Sequence, residues 1–127
     1  LYNYAGQPEK TQDMVNRIMT ELYNNNFNGY AGNDDCGEMS VWYVFSALGF
    51  YPVNPAGGDY SIGTPLFDRA VIHLPSGNDF TITADRKDKN HKSHKVKQVK
   101  LNGKPVKDWK LPHSSLMEGG SLDFTCK

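Results

Sequence analysis

Apolar residues recur at helical spacing over the first part of the chain and at strand spacing after about Tyr60. Met14, Val15, Ile18, Met19, Leu22 and Tyr23 fall at i, i+1, i+4, i+5, i+8 and i+9. That spacing predicts one apolar stripe on a helix of about three to four turns, with Thr11 as candidate N-cap. Asn24-Asn25-Asn26 and the Asn28-Gly29 pair end it. A second helix is predicted from about Glu38 to Leu48. Met39, Trp42, Val44, Phe45 and Leu48 make it apolar nearly all round, with Gly49 at the left-handed cap position and Pro52 barring continuation. A helix of that kind needs partners on most sides, and the first helix alone cannot cover it. The expectation is a piece of a larger helical array.

The later pattern has period two. Ala70–Leu74, Asp79–Ala84, Val96–Leu101, Val106–Trp109 and Ser121–Cys126 are strand candidates, separated by turns at Ser76-Gly77-Asn78, Asn102-Gly103 and Glu118-Gly119-Gly120. Asn102-Gly103 is the sharpest hairpin signal in the sequence. Short strands at turn spacing predict a small antiparallel sheet or sandwich layer, with Asp85–Lys95 as a charged connection.

Composition narrows the function classes. Lys+Arg and Asp+Glu number 14 each over 127 residues, so net charge draws the chain to neither nucleic acid nor membrane. No apolar run reaches the roughly 18 residues of a membrane span. Mean hydropathy is −0.62, yet aromatics make up 12%, too many for a solvated tail. The entry Leu1-Tyr2-Asn3-Tyr4 reads as the middle of something longer. Ten basic and two acidic residues crowd into Arg86–Lys110, but Val96-Lys97-Gln98-Val99-Lys100-Leu101 alternates as a half-buried strand with a lysine face does. With one aromatic in that block, Trp109, a nucleic-acid surface is disfavoured. Cys36 and Cys126 are expected to be unpaired and mostly buried.

Chemistry has few candidate locations. Asp34 and Asp35 lie between Gly32 and Gly37, just before the second helix. They suit either a catalytic or ligand role or simple capping of the helix, and only one of them can be the cap. Asn33 and Asp35 alternate as oxygen ligands do, but Cys36-Gly37 and the apolar helix break any EF-hand pattern, which leaves at most one or two oxygens for a shared site. His91 and His94 read as a solvated pair, and His73 as a hydrogen-bonded strand residue. Trp42 and Tyr43 fit core packing better than a sugar platform at this spacing.

The run Gly32-Asn33-Asp34-Asp35-Cys36-Gly37-Glu38-Met39-Ser40-Val41-Trp42-Tyr43 continues into Leu48-Gly49-Phe50-Tyr51-Pro52-Val53 and Tyr60-Ser61-Ile62-Gly63-Thr64-Pro65-Leu66-Phe67. It is similar to the signature region of glycoside hydrolase family 92. The flanks Tyr4-Ala5-Gly6-Gln7-Pro8 and Gly119-Gly120-Ser121-Leu122 agree, and the likeness is most specific over residues 29–67. The resemblance implies an α+β fragment: residues 1–59 ending an (α/α)6 helical domain, and residues 60–127 forming an antiparallel β tail. It implies a calcium-dependent, inverting α-mannosidase, often specific for α-1,2 linkages, that acts on mannose-containing glycans such as N-glycans and is secreted or periplasmic.

By the same resemblance Asp35 is the general base. Asp34 orients the water or the sugar, or caps the helix. Inversion needs two carboxyl groups roughly 6.5–9.5 Å apart, so these neighbours are not the acid–base pair. The general acid and most calcium ligands are expected upstream, in the rest of the parent chain. Asn33 stands where the family can have a second carboxylate, and Glu38 where Gln is common. Both are assigned to substrate binding. Glu9 replaces a usual aromatic. The competing reading is a non-catalytic carbohydrate-binding or structural module that keeps the family fold.

Overall fold

The computed structural model describes residues 1–87 and 94–127. Two helices pack on each other and against a pair of sheets. Helix α1 runs Pro8–Glu21 and α2 runs Glu38–Leu48. Pro8, not Thr11, sets the start of α1: proline at the first helical position is pre-organised and loses no hydrogen bond there. Thr11 consequently lies inside the helix, and its Oγ1 is buried without a partner among the described residues. The helix ends two residues before Tyr23, which instead bridges to Tyr30 and closes the asparagine-rich turn. Helix α2 has the expected bounds. Gly37 (φ 80°) precedes it and Gly49 (φ 96°) caps its end.

Strand β1 (Phe50–Asn54) and β2 (Asp59–Ile62) form an antiparallel hairpin directly after α2, where no strand is predicted from the sequence. The hairpin crosses the expected boundary between residues 59 and 60. Strand β7 (Lys110–Pro112) pairs with β2 to complete a three-stranded sheet, β1-β2-β7.

The second sheet has the order β3-β4-β8-β5-β6, from β3 (Arg69–His73), β4 (Asp79–Asp85), β5 (Val96–Leu101), β6 (Lys104–Pro105) and β8 (Gly120–Cys126). Its β4–β8 pair is parallel, so the expected antiparallel module is mixed at one ladder. A parallel neighbour needs a crossover, and β7 with the short helix α3 (His113–Glu118) lies on that path.

The strand expected at Val106–Trp109 is absent. Asn102 (φ 49°) and Gly103 (φ 79°) make the predicted hairpin turn, but β6 stops at Pro105, which has no N–H to extend a ladder. Asp108 Oδ1 then accepts the Lys110 N–H (3.3 Å), and Trp109 turns left-handed (φ 57°), so strand pairing resumes only at Lys110, in β7.

One core joins the two sheets. Phe50, Ile62, Phe80, Ile82, Leu111, Leu122 and Phe124 are its largest fully buried apolar side chains. Phe45, Leu48, Tyr60 and Trp109 pack against it. Val96 and Val99 face inward from β5 while Lys97, Gln98 and Lys100 face water, so the lysines of this strand form a solvated face, whereas Arg86 of the same basic block has a buried side chain and pairs with Asp68. Both cysteines are free thiols; Cys126 is buried, which pushes its thiol pKa up, but Cys36 is exposed on a loop rather than buried.

Helix α1 is tied to this sheet by polar contacts. Gln12 Oε1 accepts the Val96 N–H at 2.9 Å in the interior, and Lys127 Nζ donates to Glu9 at 2.9 Å. The unusual Glu9 therefore has a partner at the chain's far end. His94 Nε2 lies 2.8 Å from Asp13 Oδ1, so His94 bridges to α1 instead of being solvated, while His91 lies outside the described residues. His73 hydrogen-bonds Asp79 across the β3–β4 pair at 2.7 Å, as its strand position suggests. Away from the sheets the helices are less covered. Val41 and Val44 on α2 are 49% and 57% exposed.

Candidate active-site loop

The acidic loop is a tight turn fixed from within. Asp35–Gly37 forms one 3-10 turn, closed by the Gly37 N–H donating to the Asp34 carbonyl (3.1 Å). Cys36 (φ 54°) and Gly37 (φ 80°) are left-handed in succession before α2 begins. For Gly37 that conformation is unstrained, but a non-glycine residue held there costs about 1 kcal/mol. Backbone strain of this kind persists where surrounding structure enforces it, commonly at functional sites.

Asp34 turns inward and serves the helix. Its Oδ1 accepts the Ser40 N–H at 2.9 Å, satisfying one of the orphan donors in the first turn of α2. The Ser40 N–H hydrogen bond, with a smaller contribution from Met39, holds the Asp34 carboxyl below its ordinary value. A lowered carboxyl pKa stabilises the fold above the ordinary carboxylate range, and that contribution is lost as pH falls through the lowered value. Asp34→Asn removes the titration. Between about pH 6 and about pH 3 the unfolding midpoint of the wild type is therefore expected to fall further than that of the variant, measured by denaturant melts at each pH. Parallel falls would show that the carboxylate has no role in the cap.

Asp35 is exposed, as are Asn33, Cys36 and Glu38, whereas Asp34 and Gly37 are half-buried. Among the described residues no hydrogen bond or ion pair engages the side chains of Asn33, Asp35 or Glu38. The fold thus gathers all four singled-out residues on one turn but separates their duties, with Asp34 committed to the helix and the others open to solvent. Among the described residues no three His, Cys, Asp or Glu side chains gather as a metal site.

An aromatic stack supports the loop from below. The Tyr23 hydroxyl donates to the Met39 carbonyl (2.9 Å), its ring stacks on Trp42 at 5.7 Å and 14°, and Tyr43 lies 4.9 Å away. Trp42 and Tyr43 are half-buried and both pack on Tyr23. Burial first, and then the nearby Asp34 charge, raise the Tyr23 pKa, which keeps the donor protonated. The sequence gives no signal for Ser40, the partner that fixes Asp34, because a serine in a helix's first turn is ordinary.

The sequence matches the glycosyl hydrolase family 92 catalytic domain over residues 1–127. The structure is similar to that of the family GH92 inverting mannosidase BT2199 from Bacteroides thetaiotaomicron, with 41% identity, a TM-score of 0.89 and 99% of this chain covered. The α-mannosidase BT3965 of the same organism gives 35% identity, a TM-score of 0.91 and 99% coverage. An uncharacterized secreted glycosidase of Arthroderma benhamiae is 31% identical over 98% of this chain. The chain spans only 17% of each of the two mannosidases and 16% of the fungal protein. The chain belongs to glycosyl hydrolase family 92.

Proposed function

We propose that this chain is the general-base portion of a longer, inverting α-mannosidase. The observation that carries the reading is the isolation of the Asp35 carboxylate, exposed and uncommitted on a strained turn whose other aspartate is locked to the helix. A general base must keep its lone pairs for the water it activates, and Asp35 does. In the reaction a water oxygen attacks the anomeric carbon while its proton passes to Asp35. The glycosidic bond breaks with the leaving oxygen protonated by a carboxylic acid roughly 6.5–9.5 Å from the base. That acid belongs to polypeptide beyond this chain. Asn33 and Glu38, beside Asp35 and equally open, hold hydroxyls of the mannose ring.

The exposed valines of α2 support the companion proposal that residues 1–59 close a helical domain supplied by the parent chain. Calcium enters through the family. Among the described residues no three His, Cys, Asp or Glu side chains gather to hold a metal, which supports placing most of its ligands in the rest of the parent chain. We place the parent outside the cell or in a periplasm; the fungal relative is a secreted glycosidase, and among the described residues no helix is long and apolar enough to cross a membrane.

Proton NMR of sugar released by the parent protein from α-1,2-linked mannobiose tests the proposal. β-Mannose is expected to appear first, then mutarotate, with α-1,3- and α-1,6-linked isomers cleaved about tenfold more slowly or worse. α-Mannose as first product, or no mannose, would sink the reading.

A further inference from the structure

The last carbonyls of any α-helix have no partner within it, and those of α2 are met from outside. The Leu66 N–H donates to the Ala47 carbonyl and the Gly63 N–H to the Gly49 carbonyl, both at 2.9 Å. Residues 63–66 thus strap the C-terminal end of the helix whose other end carries the acidic loop. The fit is close, since a Cβ at Gly49 would meet the Pro65 nitrogen at 3.1 Å. Two side-chain bonds tie the strap to the β tail. Arg86, just after β4, has a side chain only 4% exposed; its Nη2 donates to the Pro65 carbonyl at 2.5 Å and its Nε to Asp68 Oδ1 at 3.0 Å. Thr64 is buried and donates from Oγ1 to the His94 carbonyl at 2.6 Å. Burying a guanidinium is costly unless it is paired and hydrogen-bonded, and the fork of Arg86 spends its donors on the strap and on Asp68.

We infer that Arg86 is a positioning residue for the reaction: through the strap it fixes the placement of α2, and with it that of Asp35. The inference rests on the general-base reading of Asp35. The 11 residues of α2 make a rod of roughly 16 Å, and a rod carries a displacement at one end to the other. A misplacement of about 1 Å in a reacting group costs up to about 10² in rate, even when its cause lies far from the chemistry. Arg86 acts at the end of α2 opposite to the loop, so its effect on the reaction passes through Asp35.

The test is a double-mutant cycle in the parent protein, with kcat and KM for mannose release from α-1,2-linked mannobiose and circular dichroism to confirm the fold. Arg86→Met keeps the stem and removes the donors. It is expected to lower kcat by about tenfold with KM within about twofold, and Arg86→Lys, which returns one donor, to recover part of the loss. In an Asp35→Asn background Arg86→Met is expected to change kcat by less than about twofold, because no base is left to misplace. Thr64→Val removes the second tie at nearly constant shape and gives the same pattern at smaller size; it carries the test if Arg86→Met does not fold. An equal loss in both backgrounds would mean that Arg86 only supports the fold, and would overturn the inference. No loss beside an intact Asp35 overturns it as well. Failure of the base reading looks different: Asp35→Asn alone would then stay within about threefold of wild type, and the inference falls with it.

Discussion

Phe124→Ala is expected to destabilise the chain by about 3–5 kcal/mol, seen as a lower denaturant midpoint with an unchanged slope. Phe124 is 1% exposed and sits on β8, between β4 and β5 in the middle of the larger sheet. It also reaches the helical end. A Cβ added at Gly49 would meet the Phe124 ring at 3.1 Å and Pro65 at 3.1–3.2 Å. The backbone of α2's last turn is thus packed directly on this ring, and the cavity left by alanine would lie under the helix that carries the acidic loop. Because close-packed surroundings relax only partly, the loss of contacts adds to the loss of transfer free energy. Val53→Ala, on an exposed position of β1, is the control and is expected to change stability by less than about 0.5 kcal/mol. Similar effects at the two positions would mean that the core does not lie where the fold puts it.

How much of this was legible in the sequence follows from how local each determinant is. Helix α2 and the Asn102-Gly103 turn were readable because capping glycines and paired positive-φ residues act within a few positions. The start of α1 was misplaced because Pro8 prevails over a threonine cap three residues later. The β1–β2 hairpin was missed because Pro52, Pro55 and Gly57-Gly58 look like loop, and its sheet is completed by β7, some fifty residues away. The parallel β4–β8 pair is likewise non-local and carries no short-range signature.

The candidate site divides in the same way. The acidic pair between glycines was visible as a motif, but its division of labour was not. The sequence leaves Asp34 open between orienting a ligand and capping, and only the bond from the Ser40 N–H shows where its carboxylate is committed.

One substitution isolates the carboxylate of Asp35. Asparagine keeps the size and shape of the side chain but cannot take a proton from water at neutral pH. The loop should survive, because the Asp35 side chain makes no hydrogen bond or ion pair among the described residues, and the bonds of the turn run between backbones, from the Gly37 N–H to the Asp34 carbonyl and from the Glu38 N–H to the Asp35 carbonyl. General-base catalysis contributes a factor of about 10²–10⁴, so the loss should appear in turnover rather than in folding. The measurement is mannose release from α-1,2-linked mannobiose by the full parent protein with calcium present, wild type against Asp35→Asn, with circular dichroism confirming an intact fold. A loss of about 10² or more in kcat is the predicted result. Activity within about threefold of wild type would mean that Asp35 is not the base, leaving the turn as a helix start beside chemistry performed by other residues.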